Sequence, residues 1–392
     1  MIKVKIAALQ EEIEVQRIIG SIKGSLRTPT IIFLAGIHGN ETSGLYAIHK
    51  VLNTIKEQSI PLRGNVYALC GNMNALEKGV RFEKIDLNRI WTHDHVHYVQ
   101  TSKNGFSSDV NEKIALYKIV KELLSVEKGP FYFIDMHSTS AHTEPFITIS
   151  DSINNRKFSS KFPVPIVLGI EEYLEGPFLS FINEFGHIAL GFEAGQHNDI
   201  KAIHCGEAFI WLSLVKSGCI KKSTLKKYKE YESLLANCSP LKGMFFEIDH
   251  RHQILKGDLF TMQPNFLNFD PVVRNQLLAT SNNNPVHAPF KGRIFMPLYQ
   301  KLGDDGFFIV NKISKFWLGL SKFLRRFQFY HLLKLLPGIR QYKSNKNVLV
   351  VNRSTARFLA TELFHLFGYR KKIYKEGQWL FVKRDRKVTS LK

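Results

Sequence analysis

Apolar residues along this chain come in short runs bounded by turn residues, and helical periodicity fills the gaps between them. The runs at 2–7, 16–23, 30–35, 64–69, 131–136, 146–149, 166–168 and 187–192 are short and apolar, and they read as strands. Helices are expected from Ser43 through Tyr46, Ile48 and Val51, from about Asp109 to Val126, after Pro177, and from Gly206 to Ser217. Helices and strands alternating at this spacing predict an α/β sheet with mainly parallel strands, flanked by helices. After about residue 200 the pattern changes. Residues 221–233 are rich in Lys and Glu and linker-like. Short strands at 245–254, 289–296 and 306–310 among Gly, Pro and Asn turns predict a small, mainly β unit. The organisation expected is an α/β domain over 1–215, a small β domain over 235–311 and an extension over 312–392.

The extension has its own pattern. Residues 314–336 read as one helix carrying Phe316, Trp317, Leu320, Phe323, Leu324, Phe327, Leu332 and Leu335, with Lys315, Lys322, Arg325, Arg326 and Lys334 among them. Pro337-Gly338 ends it. A strand at 348–351, a helix at 354–367 and a hairpin at 373–382 around Glu376-Gly377 follow, which makes the extension a basic α+β module. Residues 312–392 hold 20 Lys/Arg against 3 Asp/Glu, while the first 311 residues hold 34 against 31. Almost all of the chain's +20 therefore lies in the extension. A basic, aromatic, amphipathic helix suits a peripheral contact with an anionic membrane through 314–336. The competing expectations are that its apolar face packs on the body, or that it serves a homo-oligomer. Charge alone is weak ground for nucleic acid, which is not expected as a partner.

Composition adds limits. With 44% hydrophobic and 22% charged residues the chain can build a sizeable core. Cys70, Cys205, Cys219 and Cys238 form no Cys-x-x-Cys pair and read as free thiols of a reducing compartment. The N-terminus shows no long apolar stretch of a signal peptide, and no apolar run reaches the ~18 residues of a spanning helix. The expected location is the cytoplasm, with a peripheral membrane association as the variant.

Chemistry-bearing residues gather at strand ends. His38 and Glu41 follow the run at 30–35, and three-residue spacing would place both on one side of a first helical turn. His137 follows the run at 131–136, and Glu193 the run at 187–192. In open α/β sheets, sites form beyond the carboxyl ends of strands, so separation in sequence is no obstacle. Two His and one carboxylate make a catalytic zinc complement that leaves a fourth position for water, whose pKa zinc would lower to about 7. Asp135 is read as pointing to the other face of its strand and set outside the ligand set. Glu193, a carboxylate in the apolar stretch Leu190-Gly191-Phe192-Glu193-Ala194-Gly195, suits a general base that takes a proton from that water. Arg81, Asn88 and Arg89 offer anion recognition, and Arg81 could instead face the polarised carbonyl oxygen. His93, His95 and His97 are expected in a solvated loop near the entrance.

These motifs, His-Gly-Asn-Glu at 38–41, Asp-Leu-Asn-Arg at 86–89, Asp-Met-His at 135–137 and Phe-Glu-Ala-Gly at 192–195, resemble the succinylglutamate desuccinylase/aspartoacylase family, which is related to the zinc carboxypeptidases. The resemblance covers roughly residues 25–310. It implies a zinc-carboxypeptidase-like α/β fold with a mixed sheet, a small β domain and one zinc per chain. By motif, His38, Glu41 and His137 would hold the zinc, Glu193 would activate water, Arg81 would polarise the scissile carbonyl, and Asn88 and Arg89 would hold a substrate carboxylate. The implied reaction is hydrolysis of the amide of a small N-acyl amino acid, with a carboxypeptidase on short peptides as the alternative within the class. A binding protein driven by its basic tail is the alternative outside it. One departure matters. Aspartoacylases proper carry a further arginine shortly before the catalytic glutamate, and here no arginine lies between Arg156 and Arg251. The pocket is therefore expected to take an acyl-amino acid other than N-acetyl-aspartate or succinyl-glutamate. Tyr299 is a weak counterpart of the family's late substrate-contacting tyrosine.

Overall fold

The strand Thr30–Ala35 is buried at all six positions, and the fold is built outward from it. Its alternate side chains serve two cores, as the two-residue period of a strand requires. Ile31, Phe33 and Ala35 join the core that includes Leu45 and Val51 of helix Ser43–Glu57 and Phe209 and Trp211 of helix Ile200–Ser217. Ile32 and Leu34 join the core formed with Val110 and Leu116 of helix Ser108–Val126 and Phe178 and Phe181 of helix Phe178–Glu184. A strand apolar on both faces must be covered on both, and two helix layers do so. This computed structural model describes residues 1–101, 105–300, 303–343, 345–352, 361–375 and 378–391.

Thr30–Ala35 lies within an 11-stranded sheet. Asn65–Cys70 and Phe131–Thr139 flank it in parallel, and Ile188–Gln196 follows parallel to Phe131–Thr139. Ile18–Ile22 closes one edge antiparallel. On the other side Phe146–Ile149 runs antiparallel to Ile188–Gln196, and Ile166–Leu168 runs parallel to Phe146–Ile149. The sheet is thus mixed, and its parallel centre is where the candidate ligands end.

The ladder continues past residue 215. Phe245–Gln253 pairs in parallel with Ile166–Leu168, and Asp305–Ile313, Gly292–Phe295 and Pro271–Val272 follow antiparallel. Phe246, Ile248, Phe295 and Phe308 share a core with Phe146 and Val167, so burial as well as hydrogen bonding runs from the α/β part into the β part. A separate three-stranded sheet, Phe260–Met262, Leu277–Ser281 and Asn284–His287, sits in the same region. The linker-like stretch folds as a short 3-10 turn, Lys222–Thr224, and a helix, Tyr228–Asn237, whose Leu235 is fully buried.

The extension forms a four-stranded antiparallel sheet in the order Ile339–Gln341, Val348–Asn352, Gln378–Lys383, Tyr369–Lys375. Leu349, Val351, Phe364 and Phe381 fill its core. Of the expected helix at 354–367, Thr361–Leu366 is helical, while residues 353–360 and the expected turn Glu376-Gly377 lie outside the described residues. The single helix expected over 314–336 is two pieces. Lys315–Arg326 is α-helical, and Phe329–Leu335 is a 3-10 segment. Gln328, at φ 58°, breaks them, because a left-handed residue cannot continue a right-handed helix.

The extension is locked to the body by buried arginines. Arg325 donates to Asp151 and to Asp385, and Arg370 donates to Asp151, Glu172 and Glu247 at 2.7–2.8 Å. Part of the extension's positive charge is thereby neutralised inside the protein. Among the described residues, no helix is long and apolar enough to cross a membrane.

Candidate metal centre

Glycine shapes the first element of the site. After Ala35 the chain turns at Gly36, φ 71°, where a Cβ would lie 2.6 Å from Leu76. At Gly39 a Cβ would lie 2.1 Å from the Ala75 backbone. Both positions need glycine for close backbone approach and, at Gly36, for the left-handed conformation. His38 and Glu41 lie in this turn, closed by Glu41 N–H donating to His38 O, and helix Ser43–Glu57 begins after it. The expected first helical turn is therefore a tight turn with the same result: both side chains face one point.

That point also receives His137, which lies inside strand Phe131–Thr139 rather than after its end. His38 Nδ1 is 2.7 Å from Glu41 Oε1, and His137 Nδ1 is 2.9 Å from Glu41 Oε2. Ligand atoms of His38, Glu41 and His137 all lie within 4.8 Å of one another, and all three residues are buried. Burial pushes the Glu41 carboxyl up, but His38 and His137 outweigh it and hold it well below the carboxylate range. Conversely, burial pushes His137 down, while Asp135 and Glu41 raise it well above the imidazole range.

The far nitrogens of both histidines are held by carboxylates. His38 Nε2 is 3.2 Å from Asp86 Oδ1, and His137 Nε2 is 2.8 Å from Asp135 Oδ2. Asp135 therefore shares a face with His137, contrary to the reading above. Residues i and i+2 of a strand point the same way. A carboxylate behind each ring fixes its tautomer and aims its other nitrogen, the usual support of a histidine ligand.

Glu193 enters from strand Ile188–Gln196, paired in register with His137 on the neighbouring strand. It is 7% exposed, and its Oε2 has no hydrogen-bond partner among the described residues. Burial pushes its carboxyl up to about 8, with His137 pulling the other way. An orphaned, buried carboxylate oxygen beside two histidines and a carboxylate fits a cation and a water between them. The donor set, two imidazoles and one carboxylate, fits zinc.

Arg81 lies in the same cavity, with guanidinium nitrogens 3.5 Å from Glu41 Oε1 and 3.3 Å from Asp86 Oδ2. Arg89 Nη2 is 3.4 Å from Asp305 Oδ2, which comes from the β part of the sheet. Asn88 uses its side-chain oxygen to accept from Phe178 N. The cavity, of about 480 Å³, is lined by all seven expected site residues together with Ser138, His197 and Asn268. Tyr299 bonds Gln263 and Phe266 instead and does not line it. His93, His95 and His97 lie on helix His93–Thr101, not in a loop.

Asp109 was not singled out from the sequence, where it reads as an ordinary acid in the first turn of a helix. Fully buried, it accepts from the backbone N–H groups of Glu83, Lys84 and Ile85 and so shapes the loop between Arg81 and Asp86. A second group of ligand types, Glu172, Glu247 and His365, is bridged by the Arg370 guanidinium and is an ion-pair cluster.

The fold and the site together define an α/β protein with a two-histidine, one-carboxylate centre at the parallel heart of its sheet. Residues 27–205 match the family model of the succinylglutamate desuccinylase/aspartoacylase catalytic domain. The succinylglutamate desuccinylase of Yersinia pestis is 27% identical over 90 residues, which cover 23% of this chain and 27% of that protein. That of Photorhabdus laumondii is 24% identical over 135 residues, covering 34% of this chain and 40% of that one. The chain thus spans between a quarter and a half of the length of these curated relatives. Solved structures share the fold. Succinylglutamate desuccinylase from Chromobacterium violaceum superposes with a TM-score of 0.53 at 16% identity, over 75% of this chain and 88% of that one. The ectoine utilization protein EutE from Ruegeria pomeroyi gives 0.54 at 20% identity, over 74% and 87%.

Proposed function

We propose that this protein is a zinc-dependent deacylase that hydrolyses the amide bond of a small N-acyl amino acid. The observation that supports it most is the convergence of His38 Nδ1, His137 Nδ1 and the Glu41 carboxylate beside the orphaned Glu193 oxygen, in one cavity. His38, Glu41 and His137 would hold the metal, which when bound supplies Lewis acidity to the carbonyl and acidity to water. Glu193 accepts the proton of the attacking water and delivers it to the leaving nitrogen, so that an amide and water become a carboxylate and an amine. Arg81 donates to the oxygen that gains charge as water adds. Asn88 and Arg89 hold the substrate carboxylate, Arg89 through its planar fork. The family of the catalytic domain, and the desuccinylases it resembles, support this class of reaction.

The test is Glu193→Gln, assayed on a panel of N-acyl amino acids and dipeptides, with zinc measured by elemental analysis. Turnover is expected to vanish while bound zinc stays near its wild-type content. Normal turnover in the variant removes Glu193 from the role. Wild-type preference for dipeptides would move the substrate class to short peptides.

A further inference from the structure

Helix Lys315–Arg326 packs Leu318 against the core of the body, but its two buried side chains are polar. Ser321 and Arg325 face inward and are buried, Ser321 bonding Leu366 O and Arg325 bonding Asp151 and Asp385. Its aromatic residues face solvent. Phe316, Trp317, Phe323 and Phe327, with Phe329, Leu332 and Leu335 of the following 3-10 segment, are 37–79% exposed. Ring contacts at 4.9 and 5.9 Å join Phe323 to Phe327 and to Phe329, so these rings form a patch across both segments, and Phe316 and Trp317 contact each other at 5.2 Å. Phe316, Phe323 and Phe327 fall at i, i+7 and i+11, a single stripe of the helix. Each is preceded by an exposed cation, Lys315, Lys322 or Arg326, so a basic stripe borders the aromatic one. Water-exposed patches of this kind mark interaction sites.

A second observation lies on the other side of the 3-10 segment. Tyr330 and Lys334 help line a cavity of about 660 Å³ with Lys346, Lys383, Arg386 and Lys387. Its two acids are engaged elsewhere as well: Asp385 with Arg325 and Glu184 with His93. The hollow adds positive charge close to the aromatic segment, which favours approach to a surface bearing phosphate headgroups.

We propose that the aromatic face of 315–335 docks this protein on an anionic lipid bilayer, with the helix in the plane of the interface. The helix, about 18 Å long, would lay its rings among the acyl chains while Lys315, Lys322 and Arg326 reach headgroup phosphates. Charge selects this occupant over a second copy of the chain. Two copies meeting through this face would oppose two extensions, each with 20 Lys/Arg against 3 Asp/Glu. The inference is independent of the deacylase reading, since among the described residues none lining the candidate active-site cavity lies beyond Phe308.

The experiment is co-sedimentation of the full chain with vesicles of equal parts phosphatidylcholine and phosphatidylglycerol, against vesicles of phosphatidylcholine alone. Binding is expected only with the anionic vesicles, with a blue shift of tryptophan emission that Trp317→Phe reduces. The double variant Phe323→Ser, Phe327→Ser should lose about tenfold or more in vesicle affinity. Each of Lys315→Ala, Lys322→Ala and Arg326→Ala should lose roughly fivefold. These side chains are exposed, and unchanged circular dichroism and melting would show that the variants fold. Failure of the wild-type chain to bind anionic vesicles overturns the proposal, as does undiminished binding by the double variant. A dimer in sedimentation velocity that the double variant dissolves would also overturn it and assign the face to a second copy.

Discussion

Arg370 Nε donates to Asp151 Oδ2 at 2.7 Å, joining the C-terminal extension to the α/β body across 219 residues of sequence. Both side chains are buried, and Arg156 and Arg325 share the same carboxylate. Removing one partner from such a group leaves a buried charge uncompensated. Arg370→Ala is expected to lower stability by about 3–5 kcal/mol, read from urea unfolding, and to make the extension the first part cut by protease.

His365 makes the same junction sensitive to alkali. Burial and Arg370 push its imidazole down, but Glu172 and Glu247 outweigh them and raise it to about 9. A folded value above the unfolded one, about 6.5, means that His365 stabilises fully below about pH 6.5 and loses this as pH rises through about 9. Urea midpoints measured between about pH 6 and pH 9.5 should fall by an amount worth at most about 3 kcal/mol, and His365→Gln should flatten that fall.

Asp135 and Asp86 stand behind His137 and His38, each on the Nε2 of a ring whose Nδ1 meets Glu41. Asp135→Asn and Asp86→Asn are expected to weaken zinc affinity by about 10–100-fold, measured by competition with a chelating dye, with the fold retained. Affinity equal to wild type would show that the rings are aimed by other contacts.

Arg89 is held by Asp305 rather than standing free. If it receives the substrate carboxylate, Arg89→Ala should raise KM about tenfold or more on an acyl-amino acid while kcat changes less, because binding common to ground and transition states is lost. An unchanged KM would place the carboxylate elsewhere in the cavity.

Much of this was legible in the chain. The short runs at 30–35, 146–149 and 166–168 match strands almost to the residue, since strands apolar on both faces are recognisable by length and bounding turns alone. Less legible was whatever depends on partners far away in sequence. Asp109 looks like any helix-start acid until three backbone N–H groups from 83–85 are seen to end on it. The reading of Asp135 failed on strand parity, which the sequence did contain. Residues 314–336 carry the periodicity of one helix, and the break at Gln328 leaves no mark in that pattern.

By itself, the sequence determined which side chains could hold a metal and roughly where the strands lie, because ligand chemistry and apolar runs are local properties. Only the tertiary structure decided that the Nδ1 atoms of His38 and His137 meet across the Glu41 carboxylate, since that meeting depends on the parallel register of strands separated by most of a domain. It alone also decided which face of helix Lys315–Arg326 is buried. Periodicity marks two faces, but the ion pairs that Arg325 makes with Asp151 and Asp385, with Leu318 packed on the body's core, hold one side inward and leave the aromatic side in water.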